Sequence, residues 1–192
     1  MTKKHKVFIS YHHKNDEHYK NRFINDFAAT FEGFISKSVE GGDINPLLQT
    51  DTIRQQIRDK FIRDATVAVV LIGNETWKRK HVDWEISSCI RQTQYNSRTG
   101  LIGILLPSYT CEYSWDNKSC ENSGQYNHFT IPPRLYDNVK CGFAKIYNWD
   151  TNPYSVQNWI HDAFSRRNIN IPDNSYPSFA NNRSATQTKW SY

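Results

Sequence analysis

Thr66-Val67-Ala68-Val69-Val70-Leu71-Ile72 is apolar after its threonine, rich in β-branched residues, and shows no apolar–polar alternation. A strand written this way is covered on both faces, which places it inside a sheet sandwiched by helices. Residues 101–106 repeat the signal and are closed by Pro107. Between these two runs, Ile86, Cys89, Ile90 and Thr93 follow the i, i+3, i+4, i+7 spacing of a helix. On the other side, Ile53, Ile57 and Phe61 mark a helix whose outer face carries Arg54, Arg58, Asp59 and Arg63. Farther upstream, Lys6-Val7-Phe8-Ile9-Ser10-Tyr11 reads as a first strand. Tyr19, Phe23, Phe27 and Phe31 then recur every four residues, beside Ile24 and Ala28, as the aromatic inner face of a helix. Gly33 is expected to stop that helix, and residues 34–39 to form the second strand. A turn at Glu40-Gly41-Gly42-Asp43 leads into a loop through Pro46.

Downstream, residues 108–130 make a polar loop long enough to be functional or mobile. A last strand is expected over residues 143–147. Asn152 is placed to cap a final helix with Pro153 at its first position, and Val156, Trp159, Ile160, Ala163 and Phe164 supply its apolar face. From Asn170 the chain is rich in Asn, Ser and Pro. The reading is therefore one α/β domain over residues 1–168 and a polar tail over 169–192, without internal repeats. The order βαβαβαβ(loop)βα with right-handed crossovers predicts a flavodoxin-like sheet of five parallel strands, order 2-1-3-4-5, with helices on both faces. Ligands of such sheets bind beyond the carboxyl ends of strands 1 and 3, here Ser10-Tyr11-His12 and Gly73-Asn74.

Composition narrows the function classes. The 192 residues suit a single domain, and 38% hydrophobic with 14% aromatic content implies a core of few but large side chains. No apolar run approaches the roughly 20 residues of a membrane span, and the apolar stretch after the basic start ends at Ile9, too short for a signal peptide. A soluble, cytoplasmic protein is expected, with no membrane partner. Four cysteines lack a CxxC pair and are expected as free thiols, although Cys111 and Cys120 share a loop in which oxidation would let them pair. The net charge of +5 comes from scattered Lys and Arg, so no nucleic-acid partner is expected. Lys78-Arg79-Lys80 is either a solvated turn or an attractor for an anionic ligand. His12, His13, Asp16 and His18 match no metal-ligand spacing, and no metal is expected. There is no GxSxG elbow, no catalytic-cysteine signature, no Walker loop and no GxGxxG.

Val7-Phe8-Ile9-Ser10-Tyr11 followed by Asp16 resembles the opening box of TIR domains. Asp64-Ala65-Thr66-Val67-Ala68-Val69-Val70-Leu71-Ile72-Gly73 resembles their third strand, and His81-Val82-Asp83-Trp84-Glu85-Ile86 the segment that holds their catalytic glutamate. Pro133-Arg134-Leu135-Tyr136-Asp137-Asn138 is similar to a segment of the bacterial TIR-like subgroup of Thoeris antiphage systems. The resemblance spans roughly residues 6–165. It implies an enzyme that cleaves NAD as substrate, with no cofactor, and makes a cyclic ADP-ribose isomer. That diffusible product would activate a separate effector protein, and self-assembly would complete the site. It also implies Glu85 as the catalytic residue.

Read from its own surroundings, Glu85 sits about 100° around the helix from Ile86, at the edge of the apolar face. If the helix starts near Asp83, the carboxylate lies in the first turn, where the helix dipole favours it with or without a catalytic role. The chemistry has a use for it. Loss of nicotinamide leaves an oxocarbenium-like ribose that a fixed negative charge stabilises, and the neutral leaving group needs no general acid. Ser10, Tyr11 and His12 are expected to contact the nicotinamide riboside half, with Asn74, Trp77 and His81 as further substrate-binding residues. Many NAD-cleaving TIR domains carry Trp four residues before the glutamate, where this chain has His81. Trp77 and Trp84 can supply the missing aromatic surface, or simply pack in the core. The loop at 108–130 is a candidate docking site for an activator or a neighbouring subunit. A non-catalytic TIR adaptor, acting by assembly alone, is the alternative. A receiver domain would need acidic residues at the end of strand 1 and an Asp after strand 3, and neither is present.

Overall fold

Five strands pair in parallel in the order β2-β1-β3-β4-β5. The computed structural model describes residues 5–35, 45, 47–93, 96–111 and 126–191. Along the chain run β1 (Lys6–Ser10), α1 (His13–Phe27), β2 (Gly33–Ile35), α2 (Thr50–Lys60), β3 (Val67–Ile72), α3 (Lys80–Cys89), β4 (Gly100–Leu105), α4 (Pro133–Lys140), β5 (Ala144–Asn148) and α5 (Pro153–Arg166). The expected α/β class and strand order are both present.

Every residue of β3 and β4 is buried, and alternate residues feed different cores. Ala68, Val70 and Ile72 pack with Ile57, Ile86 and Leu135, so α2, α3 and α4 cover one face. Val67, Val69 and Leu71 pack with Phe23, Phe27 and Ile160, so α1 and α5 cover the other. The continuous apolar run is thus a strand with two inner sides. At the start of β4 the sheet passes very close to α5: a Cβ on Gly100 would run into the Ala163 carbonyl. Gly100→Ala is expected to lower stability by about 1–3 kcal/mol, read as a fall in the thermal midpoint; an unchanged midpoint would mean that α5 moves freely.

The element boundaries differ from the sequence reading in informative ways. The first helix ends at Phe27 rather than near Gly33, which instead opens β2; Phe31 still inserts into the core from the following turn. The expected turn at 40–43 and the end of the second strand lie outside the described residues, as does most of the 108–130 loop. Asn152 caps α5 as expected, its Oδ1 accepting from Tyr154 N at 3.0 Å. α4 has no counterpart in the sequence reading. Three of its buried positions, Arg134, Asp137 and Asn138, are polar, so no apolar period marks it. Cys89 and Cys141 are free, but Cys111 is disulfide-bonded, which corrects the free-thiol expectation there. No helix among the described residues is long and apolar enough to cross a membrane.

Residues 170–191 lack regular structure, yet they are strapped across α4, α3 and the 3-10 turn Thr76–Lys78. Arg134, completely buried, is the main buckle. Its Nε and Nη2 reach Asp83 Oδ1 and Oδ2 at 2.9 and 3.4 Å. Nη1 donates to Asn174 O and Oδ1, and Nη2 to Tyr176 O at 2.6 Å. Asp83 Oδ2 also accepts from Phe179 N, and Trp84 Nε1 donates to Phe179 O. Near the end of the strap, Trp190 is fully buried and donates from Nε1 to Ile131 O at 2.8 Å.

Candidate active site

β1 and β3 are neighbours whose helices depart to opposite faces of the sheet, so a crevice opens beyond their carboxyl ends. α3 packs against β1 and brings Glu85 to the last residue of that strand. Ser10 Oγ donates to Glu85 Oε2 at 2.5 Å, and each residue is only 1% exposed. A bond this short fixes the carboxyl group's orientation in a buried setting. α3 begins at Lys80 rather than near Asp83, so Glu85 lies in the second turn. The helix dipole, which fades beyond the first turn, is therefore not what holds it. Ser10 supplies a direct hold.

At this end of β1 lies a cavity of about 560 Å³, within the roughly 300–1,000 Å³ of ordinary ligand pockets. Tyr11, His12, His13, Lys14 and Glu17 line it from the end of β1 and the start of α1, and Arg79, His81 and Val82 from the approach to α3. Neither Ser10 nor Glu85 lines it: Tyr11, the next residue after Ser10, does, and so does His81, one helical turn before Glu85 on the same side of α3. Of the basic run at 78–80, Arg79 alone lines the cavity, where it also pairs with Glu75 at 3.0 Å. Lys78 is buried and donates to Ala185 O, and Lys80 sits over the Trp84 ring.

Six of the seven expected site residues divide by location around the crevice, and Glu85 anchors the group. Ser10, Tyr11, His12 and His81 gather with Glu85 at the end of β1. Asn74 and Trp77 face a separate, smaller cavity of about 240 Å³ with Lys78, Thr110 and Gln187. Asn74 Oδ1 accepts from Thr110 N at 2.7 Å, and Trp77 is buried with its Nε1 on Asn74 O. Trp84 is held beneath the strap by Phe179. Neither tryptophan lines the cavity beside His81. His13, Lys14, Glu17, Val82 and Asn182 line that cavity without having been singled out for it. Lys14 lies four residues past the Ser10 switch point, a signal available in the sequence; Asn182 has none.

Burial tunes two groups nearby. His12 is pushed down to about 4, first by loss of solvation and then by the Arg79 charge, so it lines the cavity as a neutral imidazole at neutral pH. Asp16 is pushed up to about 6 by loss of solvation, with its hydrogen bond from Thr76 acting the other way. Gly73 lets this carboxyl close in on the end of β3, since a Cβ there would stand 2.6 Å from Oδ2. The two shifts have opposite consequences for stability. Asp16 binds its proton more tightly when folded, so its contribution falls as pH rises from about 4 to about 6. His12 binds its proton more weakly when folded, so its contribution is lost as pH falls from 6.5 to about 4. Asp16→Asn is expected to remove the first effect alone, giving a protein that is more stable than the native chain at pH 7 and whose stability climbs more steeply between pH 4 and 6.5. Thermal midpoints across that range check this; parallel curves for the two proteins would refute it.

A 2-1-3-4-5 parallel sheet with a glutamate on α3 held at the β1 switch point fits the TIR-like class that the sequence resembles. Comparison with known families agrees: residues 8–110, just over half of the chain, match the family described as Thoeris protein ThsB, TIR-like domain. The chain belongs to that family. A solved structure of the TIR domains in the activated Roq1 resistosome directly recognizing the pathogen effector XopQ is 12% identical, with coverage of 86% of this chain and 84% of that one and a TM-score of 0.36. At that level it adds nothing to the topology described above. No curated protein matches the chain.

Proposed function

We propose that the chain cleaves the nicotinamide–ribose bond of NAD and closes the remaining ADP-ribose into a cyclic isomer, an antiphage signal read by a separate effector protein. The observation that carries this reading is the buried Ser10–Glu85 pair next to Tyr11, which with His12, Arg79 and His81 lines a cavity. The C–N bond breaks with its electron pair leaving on nicotinamide, which departs neutral. Glu85 stabilises the positive charge left on the ribose. A nucleophile of the same ADP-ribose then bonds to that carbon and releases its proton to bulk solvent, and the shape of the cavity keeps water from attacking first. Lys14 and Arg79 attract the pyrophosphate. Turnover requires a gate, a movement of Tyr11–His12 and His81–Val82 that brings the buried Glu85 into the cavity. That gate suits an enzyme at rest until triggered, with self-assembly or an activator at the 108–130 loop as the means of opening.

The burial of Glu85 also favours the alternative, a non-catalytic adaptor in which the Ser10–Glu85 bond ties α3 to the sheet. Mass spectrometry of infected cells expressing the native chain or Glu85→Gln separates the two. An ADP-ribose isomer and free nicotinamide from the native chain alone support the enzyme. No product from either while the effector still responds supports the adaptor, and equal product from both removes Glu85 from the reaction.

A further inference from the structure

The cavity has one wall that comes from far along the chain. Asn182, on the C-terminal strap, lines it beside Arg79 and His81. Its Oδ1 accepts from Lys80 N, the first amide of α3, at 2.9 Å. Because a backbone N–H can only donate, this bond fixes which end of the amide is oxygen. The Nδ2 group is left with two donors at an exposed position on the cavity rim.

The strap holds Asn182 in register by contacts on both sides. Arg183 N donates to Lys78 O at 2.8 Å, and its guanidinium lies over the Phe179 ring and donates to Tyr176 Oη. Lys78 Nζ reaches Ala185 O at 2.9 Å. Upstream, the buried Arg134–Asp83 pair clamps residues 174–179, and downstream Trp190 is sunk in the domain. A segment tied down at so many points is built to place something. What it places at the cavity is an uncharged double donor, next to Arg79 and across a lining that also carries Lys14 and three histidines against a single acidic residue, Glu17. A donor-rich wall of this kind fits a ligand rich in phosphate and hydroxyl oxygens.

We infer that Asn182 is a substrate-binding residue of the site, its Oδ1 capping α3 while its Nδ2 donates to the pyrophosphate or ribose oxygens of the dinucleotide. The C-terminal strap is thereby a working wall of the active site. This rests on the NAD-cleaving reading above.

Two substitutions divide the roles. Asn182→Asp keeps an acceptor for Lys80 N, which a helix N-terminus favours, but exchanges the two donors for a negative charge. Asn182→Ala removes both. For NAD turnover by the triggered enzyme, Asn182→Asp is expected to raise KM by about ten-fold with kcat changed far less. Titration with ADP-ribose should show the same loss in Kd. Amide exchange at residues 80–83 should stay native in Asn182→Asp and quicken in Asn182→Ala. An Asn182→Asp protein with native KM and native ADP-ribose affinity overturns this inference while leaving the proposed function standing. A native chain that, when triggered, neither consumes NAD nor binds ADP-ribose overturns both.

Discussion

Glu85→Gln is expected to slow nicotinamide release by about 10²–10³-fold, the loss seen when a single preorganised electrostatic stabiliser is removed. Glutamine has nearly the shape of glutamate, and its Oε1 can still accept the Ser10 Oγ hydrogen that the carboxylate accepts at 2.5 Å. Packing at this buried position is retained, and what disappears is the ionisable carboxyl group. The thermal midpoint should therefore hold, because the shape and the acceptor for Ser10 are kept. Rates of nicotinamide release measured beside thermal midpoints make the comparison. A loss of rate that comes with a large drop in the midpoint would assign Glu85 a structural role. An unchanged rate would remove it from the mechanism altogether.

The largest expected effect on stability is at Arg134. Arg134→Met removes the guanidinium but leaves Asp83 buried against α4, and breaking one side of a buried ion pair costs about 3–5 kcal/mol. For a chain of this size that is a fall on the order of 10 °C in the thermal midpoint. The carbonyls of Asn174 and Tyr176 lose their donors in the same step, so the strap should loosen first. Amide exchange and limited proteolysis over residues 170–191 report that loosening directly. The double variant Asp83→Leu with Arg134→Met should recover part of the loss, since the uncompensated charge is gone. Recovery is incomplete because Phe179 N then lacks the carboxylate it donates to. A single variant within 1 kcal/mol of the native protein would mean that solvent already reaches the pair.

Both predictions concern polar groups, and polar groups are where sequence and structure part company. β3 and β4 were legible because residues 67–72 and 101–105 are apolar on both sides, a pattern that leaves one kind of partner on each face. The period-four aromatics of α1 and the Asn152-Pro153 start of α5 were equally plain. With the order of elements fixed, the handedness of crossovers leaves little choice of strand order, and the switch point beside Ser10 follows. The sequence by itself therefore determined the fold class, the crevice, and the approach of α3 with Glu85 to that crevice.

Only the tertiary structure decided how that crevice is furnished. α4 buries Arg134, Asp137 and Asn138, and nothing in an apolar period reports a face that is satisfied by hydrogen bonds. The partners of Arg134 lie 40 to 51 residues away in the chain, on Asp83, Asn174 and Tyr176. Asn74 and Trp77 share the β3 end with the site yet turn to another cavity, because the path of the 3-10 turn after Gly73 sets their direction. Asn182 reaches the wall only because the strap is clamped on either side of it. Apolar burial is local and periodic, and so can be read along a chain; the satisfaction of buried polar groups depends on atoms that only the folded molecule brings together.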